Sequence, residues 1–432
     1  MLPSSFKVAE AAQATIAVAA LAAAELLQLR TGYRQRVSVD RRHAAVEFRS
    51  ERHMRVAGTA PSELWDSIAG LYSTADGWVR LHTNFPRHRD GVLRLLNASD
   101  RDSVAAALRG CSAAAFEDEA AAAGLCVTAL RDFGAWDAHP QGRAVSDQPV
   151  RIEWIGETPP GPLPSHPRPL GGVRVLDLTR IIAGPVAGRT LAAHGADVLA
   201  ISAAHLPSIP ALVLDTGRGK LSARLDLRRP DDRAQLTALV READVFVQGY
   251  RPGALAARGF SDAALAALRP GIVTASLSAY GEAGPWRDRR GFDSLVQTAS
   301  GFNVAEAEAA GQAPPRPLPA QALDHASGYL LAFGVMAALH RRATMGGSWR
   351  VTVSLAGTGR WLRGLGRVTD GFAIADIGHG DVADLLEEAK SGFGPLTGVR
   401  HAARMSATPA AWERPSVPLG THEAIWPARQ TM

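Results

Sequence analysis

Between Val173 and Val247 the chain alternates short apolar strands with helices, and few folds accept that alternation. Val173–Leu178 reads as a strand, Ala183–Ala193 as a helix opened by Gly184 and Pro185, and Val198–Ile201 as a second strand. Asp232–Glu242 then reads as a helix and Asp244–Val247 as a strand. Strands separated by helices run parallel, because each crossover helix carries the chain back to the same end of the sheet. The fold class is therefore α/β, with a Rossmann-like large domain built on a parallel sheet. A Gly-x-Gly-x-x-Gly turn after the first strand is absent, which argues against a conventional dinucleotide site.

Ahead of this region lies Glu157–Leu170, whose prolines break both helix and strand and mark a linker. The segment before it, from 51 to about 150, has a strand-like stretch at Gly77–His82, helical stretches near 100–123 and a turn at His139-Pro140. It reads as a smaller domain.

The two ends of the chain are related to each other. An offset of 314 residues pairs Ala12 with Ala326, Ala23 with Ala337 and Gly32 with Gly346. The same offset pairs Arg36, Val37 and Val39 with Arg350, Val351 and Val353. Each copy reads as an alanine-rich helix, a glycine turn and an alternating strand. The repeat makes the apolar run Ala14–Ala24 a folded helix rather than a leader, and the run is too short to span a membrane.

The bulk numbers bound the class. At 432 residues, 46% hydrophobic and 21% charged, the chain has the composition of a globular protein of two or three units. Its lysines are Lys7, Lys220 and Lys390, so arginine supplies the other 44 of the 47 basic residues. Those arginines are scattered and accompany no recognition motif, so nucleic acid is not the expected partner. Cys111 and Cys126 are too few for a zinc site or a disulfide framework, and no metal is expected. A reducing cytoplasm is the expected compartment.

From Gly172 to Ile201 the sequence GVRVLDLTRIIAGPVAGRTLAAHGADVLAI resembles the opening of the family III CoA-transferases (CaiB/BaiF-like). The likeness continues through TGRGKLSARLDL (216–227), ADVFVQGYRPGALAARGF (243–260) and SAYGEAGPW (278–286). It extends through RRGFDSLVQTASG (289–301), ALDHASGYLLAFGVMAALHRR (322–342) and PSVPLGTH (415–422). The resemblance implies a Rossmann-like domain plus a smaller one, in interlocked homodimers that move coenzyme A between carboxylic acids. In the family the small domain follows the catalytic helix and strand. Here the first copy of the repeat leads into small-domain-like YSTADGWVRLH (72–82) and WDAHPQG (136–142), so the domain order is rearranged. The expected division is a partial repeat at 1–50, a small domain at 51–156, a linker at 157–170 and a large domain at 171–432.

The resemblance places the nucleophile at Asp324. Local pattern alone reads Asp324 as a cap of the helix that follows it. An unperturbed aspartate is ionised at neutral pH and needs no base to attack a thioester. In the implied chemistry its carboxylate displaces CoA thiolate to give a mixed anhydride, and the thiolate returns to give an aspartyl-CoA thioester. The acceptor carboxylate then attacks that thioester. For coenzyme A, the resemblance implies Ile181, Ile182 and Ala183 in the loop before the first helix, Tyr250 and Arg251 on adenine and phosphate, and Tyr280 lining the cleft. Ser202-Ala203-Ala204-His205 lacks the family's acidic and basic pair, which weakens one nucleotide contact. Glu10 replaces the aspartate in the first copy and is expected to be structural. Phe292 stands where racemase-like members carry a histidine, and a phenyl ring moves no proton. A racemase or a silent acyl-CoA-binding protein are the alternatives.

Overall fold

The computed structural model describes residues 2–428 apart from 62 and 164. Its centre is a seven-stranded sheet of β1 (Arg151–Gly156), β2 (Arg174–Leu178), β3 (Asp197–Ser202), β4 (Lys220–Arg224), β5 (Val245–Gln248), β6 (Val273–Ser278) and β7 (Ser348–Ser354). The spatial order is β1-β7-β6-β5-β2-β3-β4. Strands β2 to β7 are mutually parallel where they pair, and β1 runs antiparallel on the β7 edge. The chain winds from β2 outward to β4, then returns to β5 on the other side of β2 and continues outward. Between β2 and β5 the crossovers leave in opposite directions, which opens a crevice at the carboxyl ends of those strands.

All five residues of β2 are buried, as a strand covered on both faces requires. That includes Asp177, whose charge is met by Lys220 at 2.8 Å.

Four helices position the site: α1 (Val8–Thr31), α2 (Ala183–Ala193), α3 (Asp293–Ala299) and α4 (Ala322–Met345). The last packs against both α1 and α2. Helices α1 and α4 are each 24 residues long and stand at the 314-residue offset from end to end. Both finish at a glycine with positive φ, 75° at Gly32 and 82° at Gly346. The offset extends one element further: Asp40 caps the helix Arg41–Glu47 and Ser354 caps the helix Leu355–Gly364. The strands between diverge in use. Val37–Val39 pairs with Ala403–Met405 in a separate two-stranded sheet, whereas the copy lies inside the central sheet as β7.

Two expected boundaries move. Residues 151–156, assigned with the small domain, form the edge strand β1 of the large sheet, because Ile152 and Trp154 pack beside β7. Residues 41–56 belong with the large unit as well. Glu47 accepts from the Tyr329 hydroxyl at 2.6 Å, and Ser50 donates to Asp215 at 2.6 Å. The separate small core runs from Ile68 to Ala129 around the sheet of Gly70–Ser73, Trp78–Leu81 and Val127–Ala129. Between 157 and 170 the described residues form neither helix nor strand.

Candidate functional site

A cavity of about 600 Å³ occupies the crevice. Its walls are the segments just past the strands: Thr179–Ala183 after β2, Leu225–Arg228 after β4, and Gly249–Pro252 after β5. Ala279, Leu355 and Asp324 complete the inner end, and Phe85 reaches in from the small unit.

The loop after β2 is held in a strained conformation. Ile181 has φ 78°, a region that costs a β-branched residue about 1–3 kcal/mol. Its surroundings enforce the turn. The Thr179 hydroxyl and backbone N–H both donate to Asp177, and a Cβ on Gly184 would meet the Thr179 Cβ at 2.3 Å. The turn brings Ile181, Ile182 and Ala183 to the cavity wall together.

Asp324 is the third residue of α4, so it is not the residue capping that helix, which is Gln321. The start of α4 is held from outside instead. Asp293, first residue of α3, accepts the Asp324 N–H at 2.9 Å and the N–H of Leu323, while the Gln297 amide donates to its other oxygen. No hydrogen bond reaches the Asp324 carboxyl among the described residues, and Asp324, 7% exposed, lines the cavity.

Its protonation differs from the expectation of an unperturbed aspartate. Burial, then the Asp293 carboxyl and then Glu51 push the Asp324 carboxyl well above the usual range. Burial raises Asp293 too, against the backbone donors that favour its charge. Glu51 is different: burial is outweighed by its hydrogen bond to His325 at 3.2 Å and the attraction of that ring, so it is held low. Three acids from segments far apart in sequence thus converge beneath the cavity.

Arginines cluster elsewhere around the same cavity. Arg180, Arg251, Arg258 and Arg290 all line it, and none has an acidic partner among the described residues. Tyr250 lines the wall beside them, its backbone N–H held by Gln248 at 2.8 Å. Arg180 also lies 5.4 Å from the Phe85 ring, and the cost of its burial lowers its pKa.

Of the residues named from sequence, Ile181, Ile182, Ala183, Tyr250, Arg251 and Asp324 come together on one cavity. Tyr280 does not join them. It is 2% exposed, with its ring 5.0 Å from Trp286, and it is part of the core behind the wall. Glu10 pairs with Arg41 at 3.1 Å on the surface, away from the cavity. Ala203 and His205 still line the cavity, where Arg228, in the loop after β4, bonds Asp226 at 2.6 Å. Sequence reasoning missed Asp293, Glu51, Phe85 and the arginines other than Arg251. Arg180, Arg258 and Arg290 had a visible signal, since each lies inside a stretch already singled out.

Comparison with known proteins bears on this arrangement. Residues 170–370 match the model of CoA-transferase family III. It is 35% identical over 221 residues to the acetyl-coenzyme A transferase nodX of Hypoxylon pulicicidum, covering 50% of this chain and 37% of that one. An acyl-CoA transferase of Gibberella moniliformis is 31% identical over 314 residues, covering 66% and 54%. A probable fatty acyl-CoA transferase of Mycobacterium tuberculosis is 35% identical over 198 residues, covering 43% and 50%. The chain thus spans about half or less of the length of these curated relatives. A crystal structure of a mutant of the Mycobacterium protein aligns with TM-score 0.51 and 24% identity, over 61% of this chain and 99% of that one. That likeness concerns the fold.

Proposed function

We propose that the chain transfers coenzyme A from an acyl-CoA to a carboxylic acid, with Asp324 as nucleophile. The observation that carries this reading is the cavity itself, lined both by arginines without acidic partners and by the buried Asp324. The arginines suit the phosphates of coenzyme A, since a guanidinium forks onto two phosphate oxygens. Ile181, Ile182 and Ala183 would flank the ligand between the two ends, with Tyr250 against the adenine.

In the proposed cycle an Asp324 oxygen attacks the acyl carbon and CoA leaves as thiolate, giving a mixed anhydride. The thiolate then attacks the aspartyl carbonyl and releases the first acid as carboxylate. The acceptor carboxylate attacks the resulting aspartyl thioester, again expelling thiolate, which takes the new acyl group and frees Asp324. Every step exchanges one acyl bond for another, so no external proton donor is required. The raised pKa of Asp324 makes its carboxylate more basic and a stronger attacking group once ionised. Asp293 acts as a positioning residue through the backbone of α4.

The proposed organisation is a repeat unit at 1–50, a small unit placed ahead of the large one, and a large unit from 171 onward that β1 extends. A cytoplasmic homodimer without membrane attachment is the proposed setting, and light scattering on the purified chain tests the dimer. Asp324→Ala should lower CoA exchange by about three orders of magnitude or more while leaving CoA affinity within a few-fold. Exchange of labelled carboxylate into an acyl-CoA, alongside calorimetric titration with CoA, measures both. Near-normal exchange in the variant removes Asp324 from the reaction, and binding without exchange in the wild type identifies a silent acyl-CoA-binding protein.

A further inference from the structure

With no hydrogen bond of its own among the described residues, the Asp324 carboxyl points where the start of α4 aims it. That start is the least self-supporting part of the helix. Its first N–H groups have no intrahelical acceptors, and Gln321 ahead of it makes no side-chain cap. Asp293 takes the N–H groups of Leu323 and Asp324, which holds the helix end in place. Those bonds run along the helix axis, so they do little against rotation about it.

Rotation is opposed by the N-terminal segment. His325 and Tyr329 lie one turn apart on one stripe of α4, about 100° round from the stripe of Asp324 and Gly328. Phe48 stacks on both rings, 5.5 Å from His325 and 6.0 Å from Tyr329. Glu47 accepts from the Tyr329 hydroxyl at 2.6 Å. Glu51, in the short helix Ser50–His53, accepts from His325 Nε2 at 3.2 Å. The Glu51 and His325 side chains are 3% and 1% exposed. His325 Nδ1 has no partner, so Glu51 makes the one hydrogen bond of that ring among the described residues. Fixing the stripe of His325 and Tyr329 fixes its neighbour too, with Gly328 against the Ala183 carbonyl and Asp324 at the cavity.

We infer that Glu51 is a positioning residue for the transfer reaction: through His325 it sets the rotation of the first turn of α4, and with it the direction of the Asp324 carboxylate. The inference rests on the proposed role of Asp324. The bond from Tyr329 to Glu47 lies a turn further along and holds the helix behind the nucleophile. The turn that carries the nucleophile is held by Glu51. Glu51 does not line the cavity, so its loss should fall on kcat and leave CoA affinity alone.

The test uses the full chain, with exchange of labelled carboxylate into an acyl-CoA for kcat and calorimetric titration with CoA for affinity. Glu51→Ala should lower kcat at least about tenfold and keep CoA affinity within about twofold, since misplacing a nucleophile by about 1 Å costs up to about a hundredfold. Glu51→Gln keeps an oxygen for the His325 N–H and should bring kcat back to within about threefold of the wild type. If Glu51→Ala unfolds on a thermal scan, Glu51→Leu combined with His325→Phe replaces both polar groups with apolar ones. That double variant keeps a ring against Phe48, and it should fold while losing at least about fivefold in kcat. A smaller loss of kcat in a folded variant overturns the positioning role. So does a loss shared equally by CoA affinity, or one that Glu51→Gln does not restore. Asp324→Ala is measured alongside. Exchange abolished in Asp324→Ala but normal in Glu51→Ala would sink this inference and keep the nucleophile, whereas exchange surviving in Asp324→Ala would sink the nucleophile itself.

Discussion

Asp293 and Asp324 are joined through one backbone N–H, and they also repel each other when both are charged. Replacing Asp293 with asparagine keeps an acceptor oxygen for the Asp324 N–H and removes the neighbouring charge. Ionised Asp324 then becomes easier to form, so the acid limb of the kcat/KM profile should move to lower pH. A limb that stays in place, or moves up, would show that another group governs it. The fold's stability follows the same sign. A carboxyl raised by folding contributes most below its unfolded pKa, and that contribution is lost as pH rises through its folded pKa. Arg251 is tested differently, since it lies on the exposed side. Arg251→Ala should weaken CoA binding about tenfold at low salt, and the loss should shrink as salt screens the phosphate. An unchanged dissociation constant at two ionic strengths would remove it from the site. That Asp324, the Ile181–Ala183 turn and Arg251 share one cavity was legible in sequence because each sits in a contiguous motif. Glu51 was not, because its link to His325 joins residues 274 apart in the chain, and only packing brings them together. Tyr280 misled because a motif position fixes a residue in the chain without fixing which side of a wall its ring takes.

At the scale of elements, the site depends on how closely α2 and α4 approach. Gly328 lies one turn beyond Asp324, and a Cβ there would stand 2.5 Å from the Ala183 carbonyl oxygen and 2.7 Å from the Val186 Cβ. The obstacle is backbone, which has no rotamer to yield. Gly328→Ala should therefore separate the helices, cost about 1–3 kcal/mol in denaturant midpoint analysis, and raise KM by moving the Ala183 wall away from Asp324. Unchanged stability and KM would mean that the helices are not in contact there. Strands β2, β3 and β5 and helix α2 were readable within a residue or two from period and turn chemistry. Strand β1 was missed because the register that gives it a partner belongs to β7, almost two hundred residues downstream. The 314-residue repeat was readable, but not the different uses of its strands. Local pattern specifies a strand and leaves its partner to the rest of the fold.

Across the whole molecule, the N-terminal segment is fastened by buried charge as well as by apolar contact. Arg189 is 1% exposed and meets Asp215 at 2.6 Å, and Arg218 meets the same carboxylate at 2.7 Å. Burial opposes the Asp215 charge, but the two guanidiniums outweigh it and hold the pKa down to about 2. Ser50 donates to this group, and Glu47 accepts from Tyr329 and the Ala402 N–H. Removing one side of such an arrangement leaves charge buried without a partner, at a cost of about 3–5 kcal/mol. A fragment of residues 1–160 keeps Glu47 and Glu51 but loses Arg189, His325 and Tyr329. It also bares the side of α1 carrying Ala12, Ile16, Ala19, Ala23 and Leu26, all buried in the full chain. The small core from Ile68 to Ala129 has its own cluster and its own buried pair, Glu117 with Arg131. A fragment spanning 65–131 should therefore unfold cooperatively as a soluble monomer, whereas 1–160 should aggregate or show exposed apolar surface by dye binding. Light scattering and thermal circular dichroism on both fragments measure this. Were 1–160 to be a soluble, cooperatively folding monomer, α1 would be an independent element, and its fastening to α4 and the buried charges would not be what holds the N-terminal segment in place.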